Sequence, residues 1–154
     1  MIAVLPEGLG VPVRDQVLLH VEDEDTVASL LQTLFNESSP PLRLFRVKDG
    51  LEALAFLHQT GEYVDMPLPD LIVLDLGLPF RSGFEVLEEL REDPHLRSLP
   101  VVVFSSSGVP YDRDRALELG ALDFLIKRPS VQAMRDAIAQ IRTYLPKNPV
   151  KHLA

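Results

Sequence analysis

The chain has 154 residues, 46% of them hydrophobic, with no cysteine and a formal net charge of −8. That length suits one domain with a sizeable core; the acidic balance, without basic clusters, argues against a nucleic-acid surface; the lack of cysteine removes disulfide and thiolate chemistry and suits a reducing compartment. No segment has the length of a membrane span and the start, MIAVLPEGLGVPV, is no signal peptide, so we expect a cytoplasmic protein with neither nucleic acid nor membrane as a direct partner.

Residues 1–14 carry Pro6, Gly8, Gly10 and Pro12 and read as an arm. Gln16 to Val21 is a first buried strand, with Glu22-Asp23-Glu24-Asp25 at its carboxyl end. Helical spacing follows through Val27, Leu30, Leu31, Leu34 and Phe35 and stops at Asn36 to Pro41. Leu42 to Val47 is a second strand. Asp49-Gly50 turns into a helix with Leu51, Leu54, Ala55 and Leu57, which Gly61 is expected to close. Leu71 to Leu74 is an unbroken apolar run, the pattern of a strand buried on both faces of a parallel sheet. Asp75 ends it. Gly77, Pro79 and Gly83 punctuate the loop before a helix carrying Phe84, Leu87 and Leu90, which ends near Asp93-Pro94.

The second half repeats this rhythm. Val101 to Phe104 is a strand and Ser105-Ser106-Ser107-Gly108 its loop; Tyr111 to Leu119 is a charged helix closed by Gly120. Leu122 to Ile126 is a fifth strand ending at Lys127, and Pro129-Ser130 opens a last helix with Val131, Met134, Ile138, Ile141 and Leu145 on one stripe. Five strands alternating with five helices predict a doubly wound α/β fold with a parallel sheet covered on both sides. We expect the domain over 15–145 and a short tail over 146–154.

On that plan Glu22-Asp23, Asp75, Ser105 and Lys127 stand at the ends of strands one, three, four and five, on one edge of the sheet, where α/β proteins bind ligands. Clustered carboxylates repel, and a hard divalent cation with oxygen ligands, Mg²⁺, relieves that repulsion. A hydroxyl and a lysine around one carboxylate then suit a phosphoryl group, and an aspartyl phosphate fits such a pocket. Taken singly, each residue has an ordinary role as a helix-end charge, a turn serine, a solvated lysine or a loop acid. One phosphoryl site explains their shared edge.

The stretches VEDED at Val21 to Asp25, VLDLGLPFRSGFEVL at Val73 to Leu87, PVVVFSSS at Pro100 to Ser107 and GALDFLIKRP at Gly120 to Pro129 resemble the receiver domains of two-component response regulators. The resemblance implies a flavodoxin-like fold with strand order 2-1-3-4-5. It makes Asp75 the phosphoacceptor, Glu22 and Asp23 the acid pair that places Mg²⁺, Gly77 the residue whose carbonyl completes the metal site, Ser105 and Lys127 the phosphoryl-binding pair, and Phe124 the switch aromatic. It further implies a histidine kinase as phosphodonor. The resemblance implies that on phosphorylation Ser105 would be drawn to the new oxygens and Phe124 would turn inward, altering the face made by the fourth helix, fifth strand and fifth helix. With no appended effector domain expected, the protein signals through that face or passes phosphate along a relay. A long third helix, VVVFSSS and extra length at both ends are most similar to single-domain regulators paired with phytochrome-type kinases.

The chain departs from the family where Arg128, not proline, follows Lys127. A cis bond there would cost roughly 2.5–4 kcal/mol, so we expect Lys127–Arg128 to be trans, which leaves the course of the loop after strand five and the exact reach of Lys127 open. Gly77 and Ser107, two residues after Asp75 and Ser105, are too small to shield an acyl phosphate, which points to a short-lived phosphoryl group. Apart from self-phosphorylation and dephosphorylation no enzyme is expected. An aspartate-nucleophile phosphatase wants a second acid where Gly77 stands, and no nucleotide-binding glycine motif is present. The rival is a degenerate receiver serving as a phosphorylation-independent interaction module. His20, His58, His95 and His152 lack metal-ligand spacing and read as structural or solvated. Ala133, Ala137, Tyr144, Leu145, Pro146, Val150 and Leu153 add apolar surface at the last helix and tail, from which a homodimer is expected.

Overall fold

Leu71–Leu74 (β3) is the middle strand of the sheet, and all four of its side chains are buried. In the computed structural model, which describes residues 15–38 and 40–146, Gln16–Val21 (β1) and Val101–Ser105 (β4) flank it. Leu42–Val47 (β2) lies outside β1 and Asp123–Ile126 (β5) outside β4, so the sheet is all parallel in the order β2-β1-β3-β4-β5. The expected strand order is the observed one. Aliphatic runs fit this arrangement because a parallel sheet is covered on both faces and each strand must be apolar on both sides.

Side chains alternate across the strands and feed two cores. Leu19, Val21, Ile72, Leu74, Val101 and Val103 pack with Gly50–Leu57 (α2), Gly83–Glu92 (α3) and Pro110–Glu118 (α4) on one face. Leu18, Leu71, Val73, Val102 and Phe104 pack with Asp25–Asn36 (α1) and Val131–Arg142 (α5) on the other. Each fully buried Leu, Ile or Val contributes about 1.5–3 kcal/mol. The helices start where the sequence supplies caps: Asp49 accepts from Glu52 N–H, Ser130 from Ala133 N–H, and Ser82 with Glu85 forms a capping box on α3.

Several expectations are corrected. Gly61 does not close α2. His58 caps that helix, Gln59 takes the left-handed conformation at φ 55°, and Gly61 opens a 3₁₀ turn, Gly61–Tyr63, held by the Tyr63 ring against Phe56 and the Tyr63 hydroxyl on Glu52. α3 has 10 residues and is shorter than α1 and α5, with 12 each, because Pro94 cuts it off. Val131 is exposed and leaves the α5 stripe, whereas Leu145 joins the core just beyond the helix. Ala137 and Tyr144 pack against that same core, and the Tyr144 hydroxyl donates to Asp123, so they are not spare apolar surface. The arm over 1–14, the tail beyond Pro146 with Val150 and Leu153, and His152 lie outside the described residues. No described helix is long and apolar enough to cross a membrane.

Candidate phosphoryl and metal site

Strand register builds the site. Val21 pairs with Leu74, Leu74 with Val103, and Ser105 with Ile126, so the residues that follow emerge side by side at the carboxyl edge. Backbone bonds hold each in place: Asp75 N–H donates to Val21 O (3.1 Å), Glu22 N–H to Val47 O (3.0 Å) and Lys127 N–H to Ser105 O (2.8 Å). The chain leaves β1 toward β2 on one side and β3 continues to β4 and β5 on the other. Glu22 and Asp75 therefore stand at the switch point where an open parallel sheet forms its crevice.

Every site residue read from the sequence comes to this edge except Phe124. Glu22, Asp75 and Ser105 are buried, Asp75 being 6% exposed, while Asp23 is exposed. The Lys127 ammonium lies 2.6 Å from Glu22 Oε1 and 2.9 Å from Asp75 Oδ2. Arg128 in place of proline thus leaves the reach of Lys127 intact. Gly77 N–H donates to Asp75 Oδ1 (3.3 Å), and Ser107 N–H to Ser105 Oγ (3.4 Å). A cleft of about 390 Å³ opens above, lined among others by Asp23, Asp75, Gly77, Phe84, Ser105 and Asp112. Phe124 sits below it in the core, 4% exposed, with its carbonyl accepting from Arg113. Its ring is already inside.

The electrostatics follow from this packing. Burial pushes the Glu22 carboxyl up to about 7, against the pull of its hydrogen bond with Lys127. Burial works to lower the Lys127 ammonium, but Glu22 and Asp75 outweigh it and hold its pKa above the ordinary value. Glu22, Asp23 and Asp75 each bring one carboxylate oxygen within 4.8 Å of the others. An all-oxygen donor set of this kind fits a hard divalent cation.

Two further side chains, His20 and Arg46, surround the acid pair. His20 is buried on the same face of β1 as Glu22, two residues on, its Nε2 3.9 Å from Glu22 Oε1. Burial first, then the charges of Lys127 and Arg46, lower its pKa to about 3, so it is neutral. Strand alternation was the available signal. Arg46 donates to Glu22 O (2.7 Å) and pairs with Asp25 (2.8 Å), which ties Asp25 away from the cleft. Gly83 in the sequence is loop punctuation, yet a Cβ there would stand 2.3 Å from Asp75 O. The sequence does not disclose such a close approach.

The model of the response regulator receiver domain family matches residues 18–139. Response regulator Rcp1 of Synechocystis sp. is 36% identical over 129 residues, covering 84% of this chain and 88% of that protein. The phosphorylated cyanobacterial phytochrome response regulator RcpA superposes with a TM-score of 0.82 at 33% identity, over 88% of this chain and 99% of that one. The Mn²⁺-bound form of Rcp1 gives 0.81 at 35% identity, over 89% and 99%. With four strand ends converging on Asp75 and a family match that spans β1 to α5, the chain belongs to the response regulator receiver domains.

Proposed function

We propose that Asp75 accepts a phosphoryl group from a partner histidine kinase in a Mg²⁺-dependent reaction, and that the protein acts as a phosphorylation switch of the single-domain, phytochrome-associated kind. The observation that carries this reading is the convergence on one buried aspartate of an ammonium at 2.9 Å and two further carboxylates. An Asp75 oxygen attacks the phosphorus of a phosphohistidine; the O–P bond forms as the P–N bond breaks, and that electron pair stays on the imidazole nitrogen. Lys127 holds positive charge beside the attacking carboxylate, and the Ser105 hydroxyl donates to a phosphoryl oxygen. Glu22, Asp23, Asp75 and the carbonyl of Gly77 would hold the cation. Bound there, Mg²⁺ neutralises charge on the transferring oxygens.

The resemblance to RcpA and Rcp1 over nearly their full lengths supports a phytochrome-type kinase as donor and residues 15–145 as the receiver unit, flanked by 1–14 and 146–154. Output passes through the face of α4, β5 and α5, or phosphate returns to a relay, with Ser105 as the group drawn to the phosphoryl oxygens; the Phe124 ring, already in the core, has no inward turn left to make. A homodimer through the last helix and the tail remains part of this reading, which a monomeric mass at micromolar concentration would contradict. The cysteine-free, acidic composition supports a cytoplasmic setting without nucleic acid or membrane as partner. The test is mass spectrometry after incubation with acetyl phosphate and Mg²⁺. One phosphoryl adduct in the wild type, absent in Asp75→Asn, is expected. No adduct where a control receiver is labelled overturns the reading in favour of the interaction module.

A further inference from the structure

The loop between β3 and α3 is braced from three sides. Gly83 N–H donates to Leu76 O (2.9 Å), Leu78 N–H also donates to Leu76 O (3.1 Å), and the first turn of α2 lies so close that a Cβ on Gly50 would stand 2.1 Å from Arg81 O. Within that frame Arg81 N–H donates to Pro79 O (2.7 Å) across Phe80, whose φ is 65°. This is a three-residue turn of the rare, positive-φ kind. Glycine takes a positive φ readily and asparagine or aspartate more easily than other residues, whereas a bulky aromatic does so only under strain.

Phe80 recovers nothing from the fold in return. Its ring is 79% exposed, the most exposed large apolar side chain among the described residues. Packing and backbone preference both argue against phenylalanine here. Leu51, next to Gly50 on the adjoining segment, is also exposed.

The loop begins at Asp75 and lies on the sheet edge that carries the phosphoryl site. A protein that brings a phosphohistidine to Asp75 must cover that edge, whereas a small phosphodonor need only enter the cleft. We propose that Phe80 is an anchor for the phosphodonor protein: its ring, held outward by the strained turn, buries itself in an apolar pocket of the histidine kinase when the imidazole reaches Asp75. The turn sets the direction of the Phe80 Cα–Cβ bond before the encounter, so less freedom is lost on binding, and an aromatic that becomes buried is the usual form of an interface anchor. The inference rests on the proposed role of Asp75.

The experiment compares wild type, Phe80→Asn and Phe80→Leu with two donors, acetyl phosphate and a phytochrome-type histidine kinase autophosphorylated with ATP. Asparagine removes the ring and relieves the turn, so its urea midpoint is expected at or above that of the wild type. Its labelling by acetyl phosphate stays within about twofold, while the receiver concentration that half-saturates transfer from the kinase rises about tenfold or more at an unchanged plateau rate. Leucine keeps an apolar anchor and lies between the two. Unchanged half-saturation in Phe80→Asn overturns the inference. So does a parallel loss with acetyl phosphate, or a wild type labelled by acetyl phosphate but not by the kinase. A wild type that takes no label from acetyl phosphate instead refutes the role of Asp75, and this inference with it.

Discussion

Replacing Gly83 by alanine moves the backbone that carries Asp75. The added Cβ would lie 2.3 Å from Asp75 O, 2.7 Å from Leu76 Cα and 3.0 Å from Asp75 C, all backbone atoms that no rotamer change can clear. Ordinary contact begins near 3.4 Å, so α3 and the Asp75 strand end must separate by about 1 Å. Overpacking of this kind costs about 1–3 kcal/mol, and stretching the Gly83 N–H to Leu76 O bond costs about 1 kcal/mol more. The better helix propensity of alanine returns up to about 1 kcal/mol. A net loss of about 1–3 kcal/mol lowers the urea midpoint by roughly 0.5–1.5 M at an m-value of about 2 kcal/mol/M. Displacing a reacting carboxylate by about 1 Å slows its chemistry by about 100-fold. Urea titration and the rate of labelling by acetyl phosphate read both effects. Gly77→Ala is the control, because a Cβ there meets nothing within 4 Å, and its stability is expected within about 0.5 kcal/mol of wild type. A Gly83→Ala protein with wild-type midpoint and rate, or equal losses in both variants, refutes the close-approach argument.

Divalent cation is expected to stabilise the protein, by about 2.7 kcal/mol at 100 times its dissociation constant, and Asp23→Asn to diminish the shift; thermal melts with and without Mg²⁺ or Mn²⁺ decide this. The folded pKa of His20, about 3, lies below its ordinary 6.5, so the unfolded chain binds more protons between these values. The His20 contribution is therefore fully present above pH 6.5 and falls as pH drops, by about 2 kcal/mol at pH 5. In metal-free protein the stability gap between wild type and His20→Gln should shrink by that amount from pH 7.5 to pH 5, and a pH-independent gap contradicts a buried neutral imidazole. Arg142 donates to Ser38 Oγ, Pro40 O and Phe35 O and stacks on the Phe35 ring, tying α5 to the end of α1. Arg142→Lys is expected to lose about 1–2 kcal/mol because an ammonium cannot reproduce the fork, with acetyl phosphate labelling unchanged. The Ser107 hydroxyl is committed to Asp112 at 2.6 Å and Gly77 has no side chain, so neither would shield an acyl phosphate formed on Asp75. Its decay with Mg²⁺ is expected well short of many hours, which timed mass spectra measure.

Aliphatic runs and helical spacing were enough to place the elements from Gln16 to Arg142, since burial on both faces of a parallel sheet leaves little freedom in composition. Those same elements deliver Glu22, Asp75, Ser105 and Lys127 to one edge, because each directly follows or ends a strand and parallel strands end together. Where the signal was weak the reading slipped: the end of α2 depends on Tyr63 packing against Phe56, a contact between segments that carries no local pattern. Phe124 lay in the right strand, but its position inside the core is settled by what fills the space around it.

The sequence by itself determined the fold class, the strand order through its resemblance, and the identity of the chemical groups at the site. Only the tertiary structure decided that Lys127 bridges two carboxylates, that His20 is buried beside them, that Gly83 stands against the Asp75 backbone and that Phe80 projects from a strained turn. Hydrophobic periodicity is a one-dimensional imprint of burial and can be read along the chain. Distances between segments far apart in sequence, and the backbone angle a crowded loop imposes on one residue, arise from how all the elements pack together, and no local pattern records them.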